Sequence, residues 1–293
     1  MEPHGVLLRP MAMDNTNNID KIVTLGVSTR PELLAAGVTD TDIKRMVRRK
    51  ELEQIRRGWF ATPGADLEAI AAARRYGAVS GPTALTKYGI WVPPGYDQLH
   101  VRTGKAATRQ WAGCCRPPGS PTPVTTILDP LMVALAAAAH CMTDEHWIVV
   151  CDSVMNMHGL DVEWLIAMLP GVDEYMRMLL EECDPASMSG TETIVRVRLR
   201  RLGYVVIVQP PISRVGLVDL RVENLLIECD SELHHTSLES YRKDRRRDRK
   251  ALTKGLDPLR LTYDDVLYGW KETVEDIEQI LQNERHHRRL TDD

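Results

Sequence analysis

Between residues 20 and 63 the apolar positions recur at helical spacing in two short stretches and then alternate. Pro31–Ala36 is predicted to be a short helix, capped by Ser28 or Thr29 and stopped by Gly37. Thr39 is predicted to cap a second helix, and Asp42 three residues on completes a capping-box pattern. Ile43, Met46 and Val47 fall on the core side of that helix, with Lys44, Arg45, Arg48 and Arg49 largely on the other. Leu52–Ile55 and Trp59–Thr62 flank Arg56-Arg57-Gly58, the pattern of a β-hairpin with a basic tip.

Residues 66–186 carry a weaker pattern. Helices are expected at Leu67–Tyr76, Ser80–Ile90, Asp129–His140, Trp147–Met157 and Asp161–Leu169, with one strand at Leu99–Arg102. Pro/Gly-rich loops lie at Trp91–Tyr96 and Arg116–Pro123. His100, His140, His146 and His158 are scattered and read as surface or core histidines rather than ligands. This stretch is expected to be a connecting domain.

From Ser187 the period changes again. Ser189 or Thr191 caps an expected helix at Glu192–Leu202, with Ile194, Val197, Leu199 and Leu202 as its apolar side and Gly203 as its stop. A strand is expected at Tyr204–Gln209, then two apolar runs at Val218–Val222 and Leu225–Asp230. A basic helix at Leu238–Thr253, a strand at Leu259–Thr262 and a closing helix from Asp264 complete an α-β-β-β-α-β-α order. The expected class is α/β, α+β over the whole chain. The expected division is a tail at 1–19, a DNA-binding domain at 20–65, the connecting domain at 66–186, a mixed-sheet domain at 187–285 and a tail at 286–293.

Charge sharpens this picture locally rather than globally. The 293 residues carry a net charge of −4. Lys21–Pro63 nevertheless holds nine Lys/Arg against five acids, and Tyr241–Lys254 holds eight against two. Lys44, Arg45, Arg48, Arg49, Arg56 and Arg57 are the candidate phosphate contacts of the first region, and Arg242, Arg245, Arg246 and Arg249 those of the second. The plain alternative for both is a solvated helix face with internal Asp–Arg pairs. Six scattered cysteines without a C-x-x-C pair, and no secretion signal at Met1–Asn18, fit a cytoplasmic protein. The longest apolar run, near Leu131–Ala139, is too short to span a bilayer, so no membrane partner is expected.

The candidate chemistry lies in Val218–His235. Glu228 and Asp230 are two apart in a strand and so point to one side, and a hairpin would bring Asp219 to them. Three carboxylates repel one another unless a cation shares the site, and oxygen donors suit Mg²⁺ or Mn²⁺. Asp219 and Glu228 are the candidate metal ligands. A buried Glu228 could instead pair with an arginine of the following helix.

Two helices and a basic hairpin are the parts of a winged helix, and the segment from Glu32 to Pro63 resembles the winged-helix domain of AbiEi-type antitoxins. The order "SGPTALTKYGI", "VTTILDPLMVALA", "CDSVMNMHGL" resembles the middle region of the same antitoxin-related proteins. Residues 189–285 resemble the restriction-endonuclease-like core of very-short-patch-repair-type endonucleases. The resemblance rests on Glu192, Asp219, Glu228 with Asp230, His234, Tyr241 with Asp244 and Asp248, Arg260-Leu261-Thr262, and Asp264-Asp265-Val266. It implies metal-assisted phosphodiester hydrolysis. Asp230 stands where related cores often carry a lysine, so His234 or His235 is assigned the base, and Glu192 completes the site through a bound water. The implied function is a DNA-binding, Mg²⁺- or Mn²⁺-dependent endonuclease acting on double-stranded DNA. The alternative is an antitoxin or repressor whose nuclease fold lacks turnover and which docks a cognate toxin or a second copy of itself.

Overall fold

A computed structural model describes residues 25–104, Cys115, 123–230 and 238–291. They form two compact units of mixed helix and strand. The first draws on Met1–Gly89 and Gln98–Ala137, the second on Ile90–Asp97 and Ala138–Asp293. The expected connecting domain at 66–186 is therefore not one body. Its residues are divided between the two units.

The first unit begins with β1 (Val27–Thr29), α1 (Arg30–Ala35), α2 (Asp40–Arg48), β2 (Glu53–Arg56) and β3 (Trp59–Ala61). Thr29, not Ser28, caps α1. Its hydroxyl accepts from the Glu32 amide at 3.3 Å, and the Glu32 carboxylate accepts the Thr29 amide at 2.6 Å. Thr39 and Asp42 make the same reciprocal pair at the start of α2, each amide donating at 3.2 Å. Ile43, Leu52 and Phe60 form the buried cluster, with Met46 and Val47 packed against it. The sheet runs β1-β3-β2, antiparallel throughout. β1 is absent from the sequence pattern, because three residues are too few to show a period. Next come α3 (Leu67–Arg74), β4 (Gly77–Val79), α4 (Gly81–Lys87) and β5 (Val101–Thr103), with α5 at Leu131–Ala138. α3 packs on β2 and β4, which draws this stretch into the first unit. A buried bidentate pair, Arg102 with Asp129 at 2.6 Å for both bonds, ties β5 to the chain ahead of α5.

The second unit contains α6 (Asp144–His158), α7 (Val162–Met168), α8 (Glu174–Glu181) and α9 (Gly190–Arg201). Then follow β6 (Ile207–Val208), β7 (Pro211–Ile212), β8 (Gly216–Leu217), β9 (Leu220–Val222) and β10 (Leu225–Cys229). α10 (Leu238–Leu252), β11 (Asp257–Leu261), α11 (Tyr263–Leu267) and α12 (Trp270–Thr291) complete it. The main sheet is ordered β11-β10-β9-β6. β10 runs parallel to β11 and antiparallel to β9, so the sheet is mixed. β7 and β8 form a separate hairpin.

Alternation along β10 divides the core. Leu225, Ile227 and Cys229 join Val149, Ile194, Leu199, Ile277 and Leu281 on the side of α6, α9 and α12. Leu226 joins Val215, Val218, Ala251 and Leu256 on the side of α10 and the β7–β8 hairpin. α6 and α9 are locked by a buried ion pair. Arg196 donates to Asp152 at 2.6 Å, and the other oxygen of Asp152 accepts the Asp184 amide at 2.8 Å. Thr193 adds a bond to Asp152 at 2.7 Å. The first turn of α9 is fixed from a second direction. A Cβ on Gly190 would lie 2.1 Å from the Trp91 ring, so only glycine lets the helix approach that indole.

Three expectations for this unit need correction. Leu202, assigned to the apolar side of its helix, is exposed because it is the cap residue beyond the last packed turn. α8 is an addition to the expected elements, with Met176, Leu179 and Leu180 buried at helical spacing after the Asp173 cap. The closing helix is two helices. A capping box of Thr262 and Asp265 starts α11, and α12 then continues to Thr291 through the expected tail at 286. No helix among the described residues is long and apolar enough to cross a membrane.

Candidate acidic site and basic surfaces

Four carboxylates gather around Cys229 at the end of β10. Each of Asp219, Glu192, Glu228 and Asp230 acts to raise that thiol's pKa, after burial, which is the largest cause. They arrive from three directions. Glu192 stands in the first turn of α9, where Ser189 caps the helix. Asp219 lies in the bend just before β9. Glu228 is in β10, on the face opposite Ile227 and Cys229, and Asp230 follows at the strand's end.

Glu192 is buried, and burial first, then the charge of Asp219, lifts its carboxyl above the ordinary range. Its Oε2 accepts the Met188 amide and the Gln209 side-chain amide, both at 3.0 Å. Asp219 is half-buried and is also raised, chiefly by burial, although the Cys229 amide donates to it at 2.8 Å. The same Gln209 nitrogen donates to Asp219 at 3.3 Å. One amide group thus bridges two carboxylates. Gln209 holds this place with φ +48°, in the left-handed region that side chains other than glycine seldom adopt.

Glu228 meets an arginine of the following helix. Arg247 Nη2 donates to it at 2.8 Å. The same guanidinium donates through Nε to the Val215 carbonyl at 3.1 Å and through Nη2 to the Leu217 carbonyl. Asp230 is exposed and lies 3.5 Å from Arg260, which also reaches Asp248 at 3.5 Å. Among the described residues no three of these carboxylates bring ligand oxygens within 4.8 Å of one another. His234 and His235, the expected bases, lie outside the described residues.

Sequence reasoning missed Gln209 and Arg247. Gln209 is one polar residue at the end of an apolar run, and its contacts exist only once α9 and β9 meet. Arg247 is one of seven basic residues in α10, and its partial burial sets it apart from Arg242, Arg245, Arg246, Arg249 and Lys250.

The basic candidates divide in the same way. Lys44, Arg45, Arg48, Arg49 and Arg57 are exposed, as are Arg242, Arg245, Arg246 and Arg249. Arg45 pairs with Asp42 inside its helix, and Arg245 lies 3.8 Å from Asp248. Arg56 is different. Its guanidinium carbon is 4.2 Å from the centre of the Trp59 ring and 4.8 Å from that of Tyr76. It is part of the packing rather than a projecting phosphate contact.

Three of the four middle-region histidines sit in packing contacts. His100 is buried with Nδ1 3.5 Å from the Cys115 sulfur, and His146 bonds the Tyr96 hydroxyl at 3.0 Å. His140 stacks on Tyr175. Neither a protein-family model, nor a curated protein, nor a solved structure matches this chain.

Proposed function

We propose that this chain is a double-stranded-DNA-binding protein whose second unit carries a metal-dependent phosphodiesterase site in a restriction-endonuclease-like sheet. The observation that carries this reading is that Glu192 of α9 and Asp219 of the bend share the Gln209 side-chain amide, while the Cys229 amide next to Glu228 donates to Asp219, at one end of a mixed sheet. Glu192 and Asp219 are both held above their ordinary pKa with only an amide between them, and desolvated carboxylates are costly without a cation.

The donor set fits Mg²⁺ or Mn²⁺. Every donor is oxygen, and Mg²⁺ commonly uses one or two carboxylates and keeps several waters. Asp219 and Glu228 would hold the ion, and Glu192 would act through a water. Such an ion supplies charge stabilisation at phosphate oxygens and lowers the pKa of bound water. The chain's own residues do the rest. Gln209 fixes the spacing of Glu192 and Asp219. Arg242, Arg245, Arg246 and Arg249 on α10 draw the phosphate backbone to the carboxylates. His234 or His235 takes the proton of the attacking water, as an imidazole can at neutral pH.

In the first unit, two short helices and a β1-β3-β2 sheet with a basic turn support a winged helix. α2 would enter the major groove, and Arg57 at the hairpin tip would touch phosphate.

The full chain with Mg²⁺ or Mn²⁺ is expected to nick supercoiled plasmid, and Asp219→Ala and Glu228→Ala are expected to reduce the rate at least about a hundredfold. A second reading is favoured by the Arg247–Glu228 pair and the spread of the carboxylates: a DNA-binding antitoxin or repressor with an inactive nuclease fold. Sequence-specific binding without cleavage under any divalent ion would establish that reading over the first.

A further inference from the structure

We infer that Arg247 is a built-in cation that occupies Glu228 and must be drawn off it before a divalent ion can use that carboxylate. The inference rests on the reading that the acidic cluster takes such an ion.

Arg247 touches three acceptors from two elements. Glu228 belongs to β10, whereas the carbonyls of Val215 and Leu217 belong to the β7–β8 hairpin and the turn within it. The pair is largely shielded, with side-chain exposures of 24% for Arg247 and 17% for Glu228, so solvent screens it less than a surface ion pair. The guanidinium field also reaches Asp219, where it favours the charged form against the cost of burial. Arg247 therefore offsets negative charge at two of the cluster's carboxylates.

The two carbonyls make the pairing reversible. If Glu228 turns to another cation, Arg247 keeps two hydrogen bonds to the hairpin and is not left as an orphaned buried charge. The hairpin itself is lightly built. Gly216 and Leu217 are exposed, and Arg214 and Gly216 both have positive φ.

The test is a Mn²⁺ titration of the full-length protein, with unbound Mn²⁺ read by electron paramagnetic resonance. Wild type is compared with Arg247→Gln, Arg247→Lys and Asp219→Asn, each checked by circular dichroism. Arg247→Gln is expected to bind Mn²⁺ roughly three- to thirtyfold more tightly than wild type, the span over which a largely shielded ion pair competes. Arg247→Lys should fall between them, since an ammonium cannot satisfy all three acceptors. A merely structural role would weaken binding or leave it unchanged, so either result in folded variants overturns the inference. If Arg247→Gln does not fold, Arg247→Lys decides. Binding by wild type that Asp219→Asn abolishes but Arg247 variants leave unaltered sinks this inference alone. No binding by any variant at millimolar Mn²⁺ sinks it together with the metal reading.

Discussion

Glu192 shows how one side chain links the site to stability. Its carboxyl lies above the ordinary range because burial, and then Asp219, penalise its charged form. Below the unfolded-state value, about 4.3, both states carry the proton and the group is neutral to stability. Once pH rises past the folded-state value, the whole cost of ionising the buried group weighs on the fold. Glu192→Gln keeps an oxygen for the Met188 and Gln209 donors while removing the charge. It is expected to raise stability at pH 7–8 by on the order of 1 kcal/mol and to change nothing near about pH 4. Urea melts across pH test this, and a pH-independent effect would contradict it. Glu228 and Asp230 were legible in the sequence because acids at the end of an apolar run stand out, whereas Glu192 entered through the family resemblance. Their partners were not, because Gln209 and Arg247 reach them through tertiary packing that no local spacing encodes.

At the next level, α9 delivers Glu192, and its own anchorage decides where that carboxylate stands. Arg196 in its interior is fully buried against Asp152 of α6. Removing one partner strands the other as an unpaired charge. Asp152→Ala is therefore expected to cost about 3–5 kcal/mol, and Asp152→Leu with Arg196→Met clearly less, as measured by chemical denaturation. Equal losses from the single and double variants would show that packing volume, not charge, sets the cost. Elements with a capping signal or a continuous apolar run were readable in advance: Thr39 with Asp42, Ser189 before α9, and the run at Leu225–Ile227. β1, β4 and the β7–β8 hairpin were not, because two or three residues carry no period and owe their strand form to a partner.

On the scale of the molecule, basic side chains are exposed on both units while the net charge is negative. Paired substitutions separate their roles. Arg48→Ala with Arg49→Ala, or Arg245→Ala with Arg249→Ala, is expected to lower the slope of log affinity against log salt by about one for each phosphate that is no longer neutralised. Arg56→Ala should instead destabilise the first unit with little change in slope, since its guanidinium packs on Trp59 and Tyr76. Filter binding over a salt series reads both, and a slope unaltered by either pair would count against backbone binding there. Domain boundaries were the least readable feature, because the chain leaves the first unit at Ile90, returns at Gln98 and leaves again at Ala138. That routing bears on inheritance. A gene fragment opening at Ser187 would encode every carboxylate of the site, yet it would part Arg196 from Asp152 and Gly190 from Trp91. Recombination could not pass the acidic sheet to another protein as a contiguous cassette. It would have to travel with Ile90–Asp97 and the helices from α6 onward, and the intervening segment of the first unit would go with them.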